Sequence, residues 1–109
     1  MATTYKVLGQ SAPSATTATT LYTVPSSTQA VVSTIAVCNR GGSSATFRVA
    51  IRPDGASLDT SHYIAYDSAV TANNSTFITI GVTLGDTDVI TVYASTTDLT
   101  FSAFGSEIA

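Results

Sequence analysis

Apolar and polar residues alternate with a period of two along most of this chain, and short runs of turn-forming residues separate the alternating stretches. Between Thr46 and Arg52 the pattern is clearest: Phe47, Val49 and Ile51 share one side, while Thr46, Arg48, Ala50 and Arg52 share the other. Pro53-Asp54-Gly55 then predicts a turn. Upstream, the denser apolar run from Ala30 to Cys38 (Val31, Val32, Ile35, Val37) predicts a central strand buried on both faces. Asn39-Arg40-Gly41-Gly42-Ser43-Ser44 predicts a hairpin loop joining these two strands, with Gly41-Gly42 as its flexible tip.

Downstream, His62 to Tyr66 predicts a short strand and Ala72-Asn73-Asn74 a turn. Ser75 to Leu84 predicts one strand with Ile78, Ile80, Val82 and Leu84 on a common face. After Gly85-Asp86-Thr87-Asp88, Val89 to Ser95 sets Ile90, Val92 and Ala94 against Val89, Thr91 and Tyr93. A last strand, Leu99 to Phe104, directs Leu99, Phe101 and Ala103 inward. No stretch carries an apolar period of 3.6 over a helix length. The expected fold is therefore all-β, an antiparallel β-sandwich or jelly-roll-like barrel of about seven or eight strands.

The N-terminal residues 1–18 read differently. Residues 11–20 are poor in apolar bulk and look like an extended arm or linker, preceded by a strand over residues 3–9. This segment either laces onto a neighbouring subunit by strand addition or folds back as an edge strand of its own domain, residues 19–109. In the first case Tyr5, Lys6, Val7 and Leu8 are candidate subunit contacts.

Composition narrows the function. With 109 residues, 44% of them hydrophobic, the chain suffices for one domain with a core. Thr and Ser make up roughly a third of it, far above average usage, and β-branched Thr suits a pleated surface. Charged residues are only 10% and the net charge is −3, with Lys6, Arg40, Arg48 and Arg52 as the cations. Phosphate is repelled on balance, which argues against nucleic-acid binding. No apolar run approaches a membrane-spanning length. The N-terminal residues lack the blocks of a secretion signal, so synthesis in a reducing cytoplasm is the expectation.

Candidate chemistry is sparse. One His (His62) and one Cys (Cys38) cannot make a zinc site, and no nucleophile–base arrangement can be argued from spacing. Cys38, inside an apolar run, is expected to be buried and inert. His62 is expected to be structural. Asp86 and Asp88 supply too few oxygens for calcium and are expected to cap backbone amides in a tight turn. Arg48 and Arg52 lie on the non-core face of one strand, where they either pair with acidic groups of a partner subunit or are satisfied within the chain or by solvent. The tyrosines at 5, 22, 63, 66 and 93 would form a sugar-stacking platform only if several shared a face, and their scatter along the chain favours core and interface packing. No catalytic residue, metal or cofactor is expected.

Several segments carry a resemblance: Tyr5-Lys6-Val7-Leu8-Gly9-Gln10, Leu21-Tyr22-Thr23-Val24-Pro25, Val37-Cys38-Asn39-Arg40-Gly41, Phe47-Arg48-Val49-Ala50-Ile51-Arg52, His62-Tyr63-Ile64-Ala65-Tyr66-Asp67 and the ending Phe101 to Ile108. Together they resemble a small virion structural protein of tailed bacteriophages, especially contractile-tailed phages of cyanobacteria, over essentially the whole chain. The resemblance implies a non-enzymatic virion subunit made in the host cytoplasm, present in many copies or as a homo-oligomer, whose partners are other virion proteins. A capsid decoration or cement role is the leading expectation. The alternatives are a neck, tail or baseplate accessory that seats an appendage, and a host-glycan-binding module.

Overall fold

A computed structural model of the chain describes residues 2–109. These described residues form nine strands: β1 (Thr3–Ser11), β2 (Thr19–Thr23), β3 (Gln29–Asn39), β4 (Ala45–Arg52), β5 (Tyr63–Val70), β6 (Ser75–Ile78), β7 (Val82–Leu84), β8 (Val89–Ala94) and β9 (Leu99–Ile108). Two 3-10 turns, Pro53–Gly55 and Thr60–His62, lie on the β4–β5 connection. The first sheet runs β1-β9-β3-β6, with β7 pairing the other end of β3, and the second runs β2-β8-β4-β5. All pairings are antiparallel. If β6 and β7 are counted as one interrupted strand, this is the strand order of a jelly roll. The expected all-β sandwich is the observed architecture.

Alternation builds the core. Val32, Ile35 and Val37 of β3, with Leu99, Phe101 and Ala103 of β9, face Phe47 and Val49 of β4 and Ile90, Val92 and Ala94 of β8. The rings of Phe47 and Phe101 meet across the two sheets edge to face, 6.1 Å between centroids. Such a pair combines a large buried area with favourable quadrupole geometry.

Five expectations are corrected. Asn39–Ser44 is not a hairpin, because β3 and β4 lie in different sheets and the loop carries the chain across the sandwich. Gly41 is not a free tip either: a Cβ there would collide with the Asp98 side chain. β3 is buried on one face only. Its outer residues Val31, Ala36 and Cys38 are half-buried, because nothing covers the first sheet from outside, so Cys38 is not a core thiol. The strand buried on both faces is β8, where Val89 and Thr91 lie beneath the β4–β5 connection. Finally, the run from Ser75 to Leu84 breaks at Gly81, whose φ of +65° ends β6 and restarts pairing at β7, leaving Ile80 exposed.

Residues 3–11 fold back as the edge strand β1, paired to β9, and residues 12–18 cross to the second sheet. The Thr16 amide donates to the Ala94 carbonyl on the way. Glycine permits two close approaches here. A Cβ on Gly9 would strike the Leu21 carbonyl, and one on Gly105 the Val31 carbonyl. β9 thereby continues to Ile108, beyond the expected end at Phe104.

One polar side chain is buried in the joint between the sheets. Asn39, 1% exposed, donates its amide hydrogens to the carbonyls of Ser43 (2.8 Å), Val70 (3.2 Å) and Thr71 (3.3 Å) and accepts from the Gly41 N–H (2.9 Å). It therefore fastens the β3–β4 crossover to the β5–β6 crossover.

Three outcomes follow for urea unfolding. Phe101→Ala should lose about 3–5 kcal/mol, the range for truncating a core aromatic. Asn39→Ala should lose about 2 kcal/mol or more, because several buried backbone groups lose their partners. Asn39→Asp should be worse at neutral pH, since a carboxylate has no donor for the surrounding carbonyls. Its deficit relative to the parent should shrink as acid protonates the introduced group.

Candidate functional site

Two surfaces stand out. One is the outer face of the second sheet, where β5 is irregular. Its register against β4 shifts between Phe47 and Val49 and again between Val49 and Ala50. Asp67 adopts a left-handed φ of 49° at the first of these. Bulges re-aim side chains. Here they bring Tyr63, Tyr66 and Asp67 round to Arg48.

The Arg48 guanidinium is held between two rings, 4.2 Å from the centroid of Tyr66 and 4.2 Å from that of Tyr93. Its Nε donates to Asp67 Oδ1 at 2.7 Å and its Nη2 to Oδ2 at 3.4 Å. The Asp67 hydrogen bond holds the guanidinium even more firmly protonated than usual. Tyr63 packs edge to face on Tyr66, with centroids 4.8 Å apart. Beside this stack lies a groove of about 270 Å³, floored by Ala50 and Thr91 and walled by Leu58, Tyr63, Tyr93 and Arg48.

The β4–β5 connection that carries Leu58 is pinned at both ends. Arg52 donates to the carbonyls of Ala56 (2.7 Å) and Gly55 (3.0 Å) and to Thr91 Oγ1 (3.3 Å). At the far end Asp59 accepts from the Ser61 N–H and hydroxyl, while His62 Nδ1 accepts from the Asp59 N–H. The Ser61 hydroxyl in particular lowers the Asp59 carboxyl pKa. His62 is thus a structural cap, in a 3-10 turn rather than in a strand. Asp88 caps as expected, its two oxygens accepting from the N–H groups of Gly85 (2.8 Å) and Asp54 (2.7 Å). Among the described residues no group of three or more His, Cys, Asp and Glu could hold a metal ion.

The second surface is the rim formed by β1. Ala2 and Ala109 exchange both backbone hydrogen bonds at 3.0 Å, which makes them a hydrogen-bonded pair. By the antiparallel alternation, Thr4 and Lys6 bond to β9, while the N–H and C=O groups of Thr3, Tyr5 and Val7 point away from the sheet. The Tyr5 side chain is 83% exposed, and Val7 and Phe104 beside it are also open to solvent. Lys6 Nζ lies 2.9 Å from Glu107 Oε1, and Glu107 Oε2 accepts from the buried Tyr22 hydroxyl of β2. This relay clamps the β1–β9 end of the first sheet to the second. The Tyr22 and Lys6 hydrogen bonds lower the Glu107 pKa, while burial first, and Glu107 next, push the Tyr22 phenol well upward.

The sequence candidates therefore divide. Tyr5 and Val7 are exposed on the β1 rim, and Lys6 is drawn into the Glu107 pair. Leu8, the extra residue of a β-bulge, is half-buried and packs against the domain's own core. Arg48 and Arg52 each find partners within the chain: Arg48 pairs with Asp67, and Arg52 bonds the carbonyls of Gly55 and Ala56. The Tyr63–Tyr66–Arg48–Tyr93 cluster was not legible in advance. The one signal was that Arg48 and Tyr93 both occupy outward positions of their strands, and they are direct cross-strand partners. Comparisons with protein-family models, curated proteins and solved structures give no match to this chain.

The clamp has a pH signature. Glu107 titrates below its ordinary value of 4.5 when folded, so its contribution is complete above that pH and is lost as pH falls through the lowered value. Between about pH 5 and pH 3 the parent should lose thermal stability more steeply than Glu107→Gln, measured as midpoint against pH. Equal slopes would remove Glu107 from the account.

Proposed function

We propose that this chain is a non-enzymatic structural subunit of a tailed-phage virion, docking in many copies through the β1 rim and the outer face of the first sheet. The leading placement is the capsid exterior, as a decoration or cement protein. The observation that carries this reading is the condition of the sheet edges. Proteins blunt edges with bulges, breaks, prolines or charge, because an unguarded edge recruits another strand. β5 is twice bulged, the far edge of the first sheet is broken at Gly81, and β2 lies against β1 at Gly9. From Thr3 to Val7, β1 is regular, free of proline, and its one cation is neutralised by Glu107.

The face next to that rim supports the same reading. Phe77 (65% exposed) points outward opposite Ala36, and Phe104 points outward opposite Val7. Exposed apolar groups of this kind mark interaction surfaces when they gather on one side of a molecule. The resemblance to small phage structural proteins gives the assembly in which such a surface would be used, with other virion proteins as the partners.

The test is mass spectrometry of separated heads and tails from the phage that encodes the chain. The chain is expected in the head fraction in many copies. Presence in tails alone would replace decoration by a neck, tail or baseplate role, and absence from particles would end the virion reading. A Tyr5→Lys, Val7→Lys variant should keep the parent's thermal midpoint and fail to join particles.

A further inference from the structure

We infer that the groove on the outer face of the second sheet is a binding site for a single neutral pyranose ring. This rests on a different face from the docking surface and stands or falls independently of the virion reading.

The size fits one six-membered ring: about 270 Å³, at the small end of ligand pockets. The wall chemistry fits a sugar. A pyranose has an apolar C–H face and a rim of hydroxyls, and the groove offers aromatic and aliphatic surface in Tyr63, Tyr93 and Leu58 with polar groups around it. Arg48 spends Nε and Nη2 on Asp67, while Nη1 has no acceptor among the described residues and is free to donate to a hydroxyl. Thr91 Oγ1, on the floor, is oriented by Arg52 Nη1.

Charge excludes the obvious competitor. Asp67 already neutralises Arg48, and the chain carries −3, so an anionic ligand gains little attraction here. The site is also built before any ligand arrives. Ala50, on the floor, is 1% exposed, Arg48 is fixed between two rings, and Leu58 sits on a connection whose start Arg52 ties to the second sheet. Preorganisation of this kind spares a weak ligand the cost of ordering the protein. A single ring of about a dozen heavy atoms should bind in the millimolar range. Repetition on a many-copy particle would raise that to useful avidity toward a polysaccharide.

The test is NMR titration of the isolated, isotope-labelled protein with the methyl glycosides of glucose, galactose, mannose and N-acetylglucosamine, with indole as an aromatic comparator. At least one glycoside should give saturable shifts centred on Leu58, Tyr63, Thr91 and Tyr93. Tyr63→Ala should weaken that binding about tenfold. Tyr63→Phe, which keeps the ring and the fold, should weaken it less, and Phe77→Ala on the opposite face should leave it unchanged. Because the chain has no Trp, tyrosine fluorescence gives an independent readout. Absence of saturable shifts with all four glycosides, binding of indole alone, or equal loss in Phe77→Ala would each overturn the assignment.

Discussion

The sandwich depends on one buried carboxamide. Asn39 sits where the chain leaves the first sheet for the second, and it holds the backbone of the neighbouring crossover that returns from the second sheet to the first. Almost every connection in this topology changes sheet, so the loops must stay in register with one another as well as with their strands. An apolar residue at this position would leave carbonyls unpaired in a closed space. The amide satisfies them at the joint through which the chain passes between the sheets.

With the core fixed, the two outer faces differ in kind. The first sheet is regular and comparatively apolar outside, with one unguarded rim. The second is irregular outside, and its irregularity builds the cluster: bulges in an edge strand turn tyrosines and a carboxylate toward an arginine that would otherwise face water. One face presents exposed apolar side chains beside a regular edge, and the other an arginine–tyrosine cluster beside a groove.

The sequence revealed those parts of the fold whose physics is local. Phe47 and Val49, or Leu99, Phe101 and Ala103, announce their buried face because a strand side chain returns to the same side every second residue. The loop at 39–44 misled because a glycine-rich link between two alternating runs has the same composition whether its strands pair or part. The apolar beat from Ile78 to Leu84 ran on through Gly81, where only the backbone angle shows the break. Gly105, Ser106 and Glu107 look like loop residues, yet the glycine is what lets β9 pass close to β3 and continue. Of the candidate site residues, Tyr5 and Val7 lie exposed on the β1 rim, whereas Leu8 turns toward the core at a bulge that no alternation marks. The tyrosine cluster was not legible, because Tyr63 and Tyr66 are three residues apart and share a face only through register shifts that depend on the neighbouring strand.

The interruption at Gly81 has a consequence for assembly. A sheet open at both sides can add copies without limit, as fibrils do. Here one margin is cut into two short pieces, and the opposite one is regular only from Thr3 to Val7, so a strand joined there would find no second rim of the same kind to pass the pairing on. Were two copies to pair through β1, each would use up its own rim, so this geometry favours a closed pair over a filament.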